Sequence, residues 1–178
     1  MLNNKTIAVV VPAYNESTQI KMVLDSMPDF VDRIIVVDDC SKDDTISHVK
    51  EYFDNNSSSI NIPSLFRDDI VPNPYNKADI ELRKKAKKEI DFFTPSEVLN
   101  SDDENERIVL IHHKKNGGVG AAIATGYKWC KDHNIACSAV MAGDGQMDPS
   151  ELESICSPVI NEGVDYVKGN RLIHESAW

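Results

Sequence analysis

The stretch AVMAGDGQMDP, from Ala139 to Pro149, places carboxylate and amide oxygens directly after an apolar run. Asp144 lies between Gly143 and Gly145, which leave the backbone uncrowded and allow turns that other residues avoid. Gln146 adds an amide oxygen two residues later. Oxygen ligands of this kind suit Mg²⁺ or Mn²⁺, which bind through one or two carboxylates together with substrate phosphates. The stretch therefore predicts that Asp144 and Gln146 hold a metal ion that in turn holds a diphosphate.

A second acidic group, Asp38 and Asp39, directly follows the apolar residues IIVV. A single Asp at such a position is often only the N-cap of the next helix. Two in a row suit one carboxylate that fixes the turn and one that accepts hydrogen bonds from a ligand, such as a base N–H or a ribose hydroxyl. Two further turns carry polar or glycine residues after apolar runs: Pro12, Tyr14, Asn15 and Glu16 in one, and Asn116, Gly117, Gly118 and Gly120 in the other.

The glycine-rich turn NGGVGAAI is neither a dinucleotide fingerprint nor a P-loop. Ile123 stands where the third small residue of GxGxxG is required, and GxxxxGK[ST] does not occur in the chain. A helix that opens on glycines still presents backbone N–H groups to an anion. The same glycines fit a tight turn and close helix packing equally well, so both interpretations stand.

The elements that position these turns alternate regularly. Four apolar runs, TIAVVVP, DRIIVVDD, ERIVLIHH and CSAVMAG, are each followed by a turn and a helix-like stretch, and VDYVKGNR is predicted as a fifth strand. This alternation predicts an α/β fold with a mostly parallel sheet and helices on both faces. Ligands of such sheets bind beyond the carboxyl ends of the strands. We therefore expect the polar turns to converge on one edge of the sheet.

The segment 55–106 interrupts the alternation. Loops of this length without structure are uncommon in compact domains, and NKADIELRKKAKKEIDFF within it is predicted as a helix. Mixed-charge helices are commonly solvated faces. We therefore interpret the segment as an insertion that covers part of the sheet edge, in preference to a lid, an acceptor contact or an oligomer contact.

Composition limits the possible functions. The chain of 178 residues carries a net charge of −10, which argues against a broad nucleic-acid surface. Its four cysteines form no CxxC pair and no zinc-ligand spacing, so we expect reduced thiols in a cytoplasmic protein. No apolar run approaches the length of a membrane span.

The motifs VVVPAYNES, IIVVDDCSKDDT, NGGVGAAIATGY and MAGDGQMDP together resemble the family-2 inverting glycosyltransferases, which have the GT-A fold. The resemblance is strongest to the dolichyl- and polyprenyl-phosphate sugar transferases and covers residues 6–171 apart from the insertion. It implies that Pro12, Tyr14 and Glu16 line the base and ribose pocket, while Asp39 reads the base. It also implies that the NGG turn shapes the floor near the donor and that Arg171 lies near phosphate groups.

Within this resemblance, AGDGQ matches the DxD metal motif. Asp144 stands at its second carboxylate, Gln146 at a third ligand position, and Ala142 where the first acidic residue belongs. The implied reaction transfers a sugar from a UDP- or GDP-linked donor to a polyprenyl phosphate or a glycan hydroxyl, with inversion and with Mg²⁺ or Mn²⁺. A nucleotide-sugar-binding module without turnover is the alternative, which Ala142 favours.

The resemblance also bears on the extent of the domain. Residues 1–178 correspond to a donor-binding domain that is C-terminally incomplete, because the acceptor half and its general base lie beyond residue 178 in the family. No catalytic base is therefore assigned. The implied setting is cell-envelope polysaccharide synthesis in the cytoplasm, at the inner face of the membrane, and a homo-oligomer is compatible with it.

Overall fold

A computed structural model describes residues 1–52, 60–65 and 70–170, and five strands form one sheet within them. The strands are β1 (Ile7–Ala13), β2 (Arg33–Asp38), β3 (Ser96–Val98), β4 (Ile108–His113) and β5 (Cys137–Val140). The helices are α1 (Ile20–Asp25), α2 (Thr45–Lys50), α3 (Lys77–Glu89), α4 (Val119–Asp132) and α5 (Leu152–Asn161). In the described ranges, none of these helices has the length and apolar character needed to cross a bilayer.

The sheet is mostly parallel, with the strand order β3-β4-β2-β1-β5. β1 pairs in parallel with β2 and β5, β2 pairs in parallel with β4, and β3 pairs antiparallel with β4. The chain moves from β1 outward to β2 and β4, and then returns through α4 to the other side of β1. The strand order therefore reverses between β1 and β5, which is where open sheets of this kind bind ligands.

Both faces of the sheet are covered by helices, as the alternation predicts. Val9 and Val11 of β1 pack on one face with apolar side chains of α1, with Val49 of α2 and with the first residue of α5. Ala8 and Val10 face the other side, where they pack against α4. Every residue of β1 is buried, because successive side chains of a strand point to opposite faces and both are covered.

The prediction of a strand at VDYVKGNR is wrong for residues 164–170, which form no strand, while Arg171 lies outside the described residues. Tyr166 is largely exposed, Val164 is partly exposed and Val167 is only half-buried, so the segment lacks the buried apolar run of the other strands. The fifth strand is instead β3, which comes from the insertion. It covers the β4 edge of the sheet, in agreement with the interpretation of 55–106 as an edge-covering insertion.

The predicted helix of the insertion is confirmed as α3, which is followed by a short 3-10 turn at Ile90–Phe92. The insertion is attached to the sheet by Arg33, a fully buried residue at the start of β2. Its guanidinium donates to the carbonyl oxygens of Ile60 and Glu104, the latter at 2.7 Å. One buried cation therefore binds backbone near both ends of the inserted segment.

Candidate functional site

A cleft of about 170 Å³ lies at the carboxyl ends of β1 and β5, where the strand order reverses. It is lined by the end of β1, by α4 and by the turns after β1, β2 and β5: Pro12, Ala13, Tyr14, Glu16, Asp39, Val119, Ala122, Ala142, Gly143 and Asp144. Five residues predicted from the sequence, Pro12, Tyr14, Glu16, Asp39 and Asp144, therefore meet in one cavity. Their role in donor binding stays a prediction.

The ends of β1 and β5 approach each other closely at Gly143, where there is little room for a side chain. The N–H of Gly143 donates to the carbonyl oxygen of Pro12 at 3.1 Å. A Cβ atom at Gly143 would lie 3.2 Å from that oxygen and 3.3 Å from the Cβ of Ala13. Gly143 therefore allows the close approach of the two strand ends and brings Asp144 to the edge of the cleft.

Asp39 is the most firmly held polar group of the cleft, and its side chain is almost completely buried. Its Oδ1 accepts from the N–H of Gly117 at 2.8 Å and lies 2.7 Å from His113 Nδ1, while its Oδ2 accepts from the N–H of Gly118 at 2.7 Å. Burial alone would raise the pKa of this carboxyl group, but the three hydrogen bonds outweigh burial and hold the pKa below its ordinary value. Asp39 is therefore an ionised acceptor at neutral pH.

The glycine-rich turn provides the two backbone N–H groups, so the anion that it binds is the Asp39 carboxylate of the same chain. Gly118 has φ of 85°, a conformation that glycine adopts readily and that turns its N–H toward Asp39. A Cβ atom at Gly117 would lie 2.5 Å from Thr94 Oγ1. Both glycines thus position Asp39, and they lie behind the lining of the cleft.

As the sequence predicts, one of the two aspartates fixes a turn, whereas the ligand-accepting role of the other stays a prediction. Asp38 is fully buried outside the cleft lining, where its Oδ2 accepts from the N–H of Ser41 at 3.1 Å and lies 2.8 Å from His112 Nδ1. Asp38 therefore fixes the turn after β2, while Asp39 faces the cleft.

Asn15 and Glu16 lie in the loop after β1, which is fastened to the loop after β2. The N–H of Asn15 donates to Ser41 Oγ at 2.9 Å, and Asn15 Oδ1 accepts from the N–H of Lys42 at 2.8 Å. The side chain of Asn15 is therefore used to join two loops, whereas the predicted ligand contact would need it in the cleft. The N–H of Glu16 donates to Thr45 Oγ1 at 2.9 Å, which leaves the carboxyl group of Glu16 in the cleft.

Two carboxyl groups, Glu16 and Asp144, face the same cavity. Burial raises the pKa of Glu16, and the negative charges of Asp144 and Asp43 raise it further. Asp144 Oδ1 accepts from the backbone N–H of Gln146 at 3.0 Å, while the side chain of Gln146 is exposed outside the cleft lining. Across the described part of the chain, no three His, Cys, Asp or Glu side chains gather closely enough to hold a metal ion by themselves.

His112 and His113 pair with the two aspartates, a contact that the sequence does not predict. The register of β2 and β4 places Asp38 beside His112. His113 contacts Asp39 on the other face of the sheet and is completely buried. The sequence does contain an Asp-Asp pair and a His-His pair, each at the end of a predicted strand. Their contact can be predicted only once the strand order and register are known.

Comparison with known proteins identifies the family. The model of "Glycosyl transferase family 2" matches residues 8–78 and 93–178. The chain belongs to glycosyl transferase family 2. Its α/β sheet with the cleft between β1 and β5 is the GT-A type of fold expected from the motifs. Residues 79–92, most of α3 and the turn after it, lie outside the match, so this part of the insertion is an addition to the family fold.

Two relatives are similar to this family-2 chain over different shares of its length. One, from Methanococcus voltae, is named UDP-N-acetylglucosamine–dolichyl-phosphate N-acetylglucosaminyltransferase and is 27% identical over 170 residues, which cover 95% of this chain and 53% of the relative. The other, the uncharacterized protein MJ1222 of Methanocaldococcus jannaschii, is 29% identical over 73 residues, 41% of this chain and 30% of the relative. The chain thus spans about half of the first relative and less of the second.

Proposed function

We propose that the cleft binds a nucleoside-diphosphate sugar and that the chain is the donor-binding part of a glycosyltransferase. The observation that carries this proposal is the placement of Asp39 and Asp144 in one cavity at the reversal of strand order. Asp39 is an acceptor suited to a base N–H, and Asp144 is a carboxylate suited to the metal end of a diphosphate. The two groups match the two ends of one nucleoside diphosphate.

The donor set fits Mg²⁺ or Mn²⁺ shared with a substrate. Asp144 would hold the ion, with Gln146 or Glu16 as the neighbouring oxygen donor, and the diphosphate would complete the coordination. Burial first, and then the negative charges of Asp144 and Asp43, raise the pKa of Glu16, and a divalent cation would offset that negative charge. When bound, such an ion stabilises the negative charge that develops on the departing nucleoside diphosphate.

The chain's own residues bind and orient the donor. Pro12 and Tyr14 form the β1 side of the cleft, Asp39 accepts from the base, and Val119 and Ala122 of α4 form the opposite wall. An oxygen of the acceptor would then attack the sugar's anomeric carbon in a single displacement that inverts its configuration and releases the nucleoside diphosphate. Arg171, which lies outside the described residues, is proposed to contact phosphate groups.

For the acceptor, we propose a polyprenyl phosphate at the cytoplasmic face of a membrane. The named activity of the Methanococcus voltae relative uses a UDP-sugar and a dolichyl phosphate. A phosphate acceptor is already an anion at neutral pH, so the reaction needs no strong general base. This suits a cleft in which Asp39 is engaged by three internal hydrogen bonds. The UDP-sugar in the name of that relative also favours UDP over GDP as the nucleotide.

A binding module without turnover is the second candidate. It is favoured by one observation, Ala142 in the cleft lining where the family motif has its first acidic residue. A module of this kind would bind the nucleotide sugar as tightly as the enzyme does but would release no sugar.

Calorimetric titration with UDP, GDP and UDP-N-acetylglucosamine, with and without Mn²⁺, tests the donor site. We expect Asp144→Asn to weaken Mn²⁺-dependent UDP binding about tenfold, because it removes a charge-assisted contact of roughly 1.5 kcal/mol. Asp148→Asn is the matched control. Asp148 is exposed in the same loop, outside the cleft lining, and caps the following turn by accepting from the N–H of Ser150, which Asn does equally well.

The outcomes separate the candidates. UDP binding with transfer of N-acetylglucosamine to a polyprenyl phosphate supports the enzyme, and product anomeric configuration reports inversion. UDP binding without transfer, in the full-length protein, supports the binding module. Absence of nucleotide binding, or equal losses in Asp144→Asn and Asp148→Asn, contradicts the donor site.

A further inference from the structure

His113 connects the cleft to the middle of α4. Its ring is completely buried, with Nδ1 at 2.7 Å from Asp39 Oδ1 and Nε2 at 2.9 Å from Thr125 Oγ1. Thr125 is itself buried in α4 and, like His113, is absent from the cleft lining. The three side chains therefore form a chain of hydrogen bonds that ends on the cleft carboxylate.

The chemistry of the partners determines the tautomer of His113. An ionised Asp39 only accepts, so Nδ1 must carry a proton and donate to it. In the neutral ring Nε2 is then an acceptor, and the hydroxyl of Thr125 is placed to donate to it. Asp39 thus fixes which ring nitrogen carries the proton, Thr125 satisfies the other nitrogen, and His113 fixes the orientation of the carboxylate.

These contacts also determine which lone pairs of Asp39 remain for a ligand. Oδ1 accepts two hydrogen bonds, from His113 and Gly117, and a carboxylate oxygen has two lone-pair sites. Oδ2 accepts one, from Gly118. One acceptor site therefore remains on Oδ2, and it attracts a ring N–H and repels a ring nitrogen lone pair.

We propose that His113 and Thr125 are positioning residues that hold Asp39 with this single acceptor site toward the donor base. They thereby select bases with a ring N–H, uracil and guanine, over bases whose ring nitrogen only accepts, cytosine and adenine. This inference rests on the proposed donor site and deepens it. Neither residue touches the nucleotide, and both act through Asp39.

The test compares Thr125→Val with Thr125→Ser. Val keeps the shape of the side chain and removes the hydroxyl, while Ser keeps the hydroxyl. We expect wild type to bind UDP more tightly than CDP, Thr125→Val to lower that ratio of dissociation constants about fivefold, and Thr125→Ser to restore it to within about twofold, as expected for one hydrogen bond. Thr125→Ala is the second variant should Val prevent folding, because it removes the hydroxyl and adds no volume.

A nucleotide-independent measurement accompanies the titrations. Nitrogen NMR of the His113 ring is expected to show a protonated Nδ1 and an unprotonated Nε2 in wild type and in Thr125→Ser. In Thr125→Val we expect the Nδ1 proton to stay and the Nε2 resonance to shift, because this nitrogen loses its hydrogen-bond donor. A purely structural role for Thr125 would lower the melting temperature and leave the base preference unchanged.

The results distinguish this inference from the proposed function. If wild type prefers UDP to CDP and both Thr125→Val and Thr125→Ala keep that preference, the inference is overturned and the donor site stands. If wild type binds no nucleotide, the proposed function fails and the base selection fails with it. If wild type binds UDP and CDP equally, the donor site stands and the selection by Asp39 is overturned.

Discussion

Asp43 joins the two loops that support the cleft. Its Oδ1 accepts from both the N–H and the hydroxyl of Thr45, at 3.1 and 2.5 Å, and its Oδ2 accepts from the N–H of Ser17 at 3.1 Å. Burial raises the pKa of Asp43, but these hydrogen bonds together outweigh burial and lower the pKa to about 2. We expect Asp43→Asn to lower the free energy of unfolding at pH 7 by about 1 kcal/mol, measured by urea denaturation.

The pH dependence of this loss follows from the sign of the shift. Because the pKa of Asp43 is lower in the folded state than in the unfolded state, its stabilising effect is complete above about pH 4 and is lost as the pH falls toward about 2. The stability difference between wild type and Asp43→Asn should shrink over that range. Asp44→Asn is the neighbouring control, since Asp44 makes no side-chain cap hydrogen bond. An equal effect of the two substitutions would contradict the role of Asp43.

At the level of single residues, candidate site residues could be predicted from their position after a strand. Their hydrogen-bond partners could not. The division of roles between Asp38 and Asp39 followed from the need of a turn for one carboxylate. The hydrogen bonds of Asn15 with Ser41 and Lys42 could not be predicted, because they depend on how two separate loops meet. The contact of His113 with Thr125 likewise depends on where α4 lies over β4.

At the scale of elements, the contact between α4 and β1 sets one wall of the cleft. A Cβ atom at Gly126 of α4 would lie 2.3 Å from Val10 Cγ1, so the helix lies as close to the sheet as a glycine allows. We expect Gly126→Ala to destabilise the protein by about 2 kcal/mol, because Val10 is buried in the central strand and cannot move away. The displaced helix should also weaken UDP binding, since Val119 and Ala122 of α4 line the cleft.

Gly120 provides a control in the same helix. A Cβ atom at Gly120 would meet nothing within 4 Å. Gly120→Ala should therefore raise the free energy of unfolding by about 0.5–1 kcal/mol, because alanine favours the helix more than glycine does. Thermal unfolding of the two variants measures both effects, and destabilisation of similar size in both would show that close packing at Gly126 is not the cause.

The elements themselves were predictable where hydrophobic burial alone specifies them. The runs around β1, β2 and β4 are apolar and buried, and the run around β5 is partly buried. The helices between them follow from their spacing and turn residues. β3 was missed because its three residues are all exposed and its pairing with β4 comes from backbone hydrogen bonds that leave no hydrophobic pattern. The segment 164–170 was predicted as a strand from three apolar side chains, of which Val164 and Tyr166 are exposed and Val167 is half-buried.

At the scale of the whole molecule, charge is unevenly distributed. The chain has a net charge of −10, yet α3 contains six basic and three acidic residues and so carries a net charge of +3. Lys84, Lys85 and Lys88 of α3 are exposed, and Tyr75 and Phe92 near its two ends are exposed to 98% and 88%. Most of α3 lies outside the family match. A basic surface with aromatic side chains at its ends suits the headgroup region of an anionic membrane.

If the acceptor is a lipid phosphate, α3 is the described element whose charge best suits contact with such a membrane. We expect the protein to sediment with vesicles containing phosphatidylglycerol at low salt and to be released at high salt, because the attraction is screened. Substitution of Lys84, Lys85 and Lys88 by Gln should weaken this binding at least tenfold, since each lysine near the surface contributes about 1 kcal/mol. UDP binding should be unchanged, because α3 contributes no residue to the cleft lining.

The matched control replaces three exposed lysines elsewhere, Lys5, Lys42 and Lys50, by Gln and so changes the net charge equally. Vesicle binding that depends on α3 should survive this change almost entirely. Equal losses in the two triple variants would mean that overall charge, and not α3, governs the attraction. Absence of vesicle binding by wild type would contradict a membrane-facing role for α3 and would leave the nucleotide cleft, which is tested separately by UDP titration, unaffected.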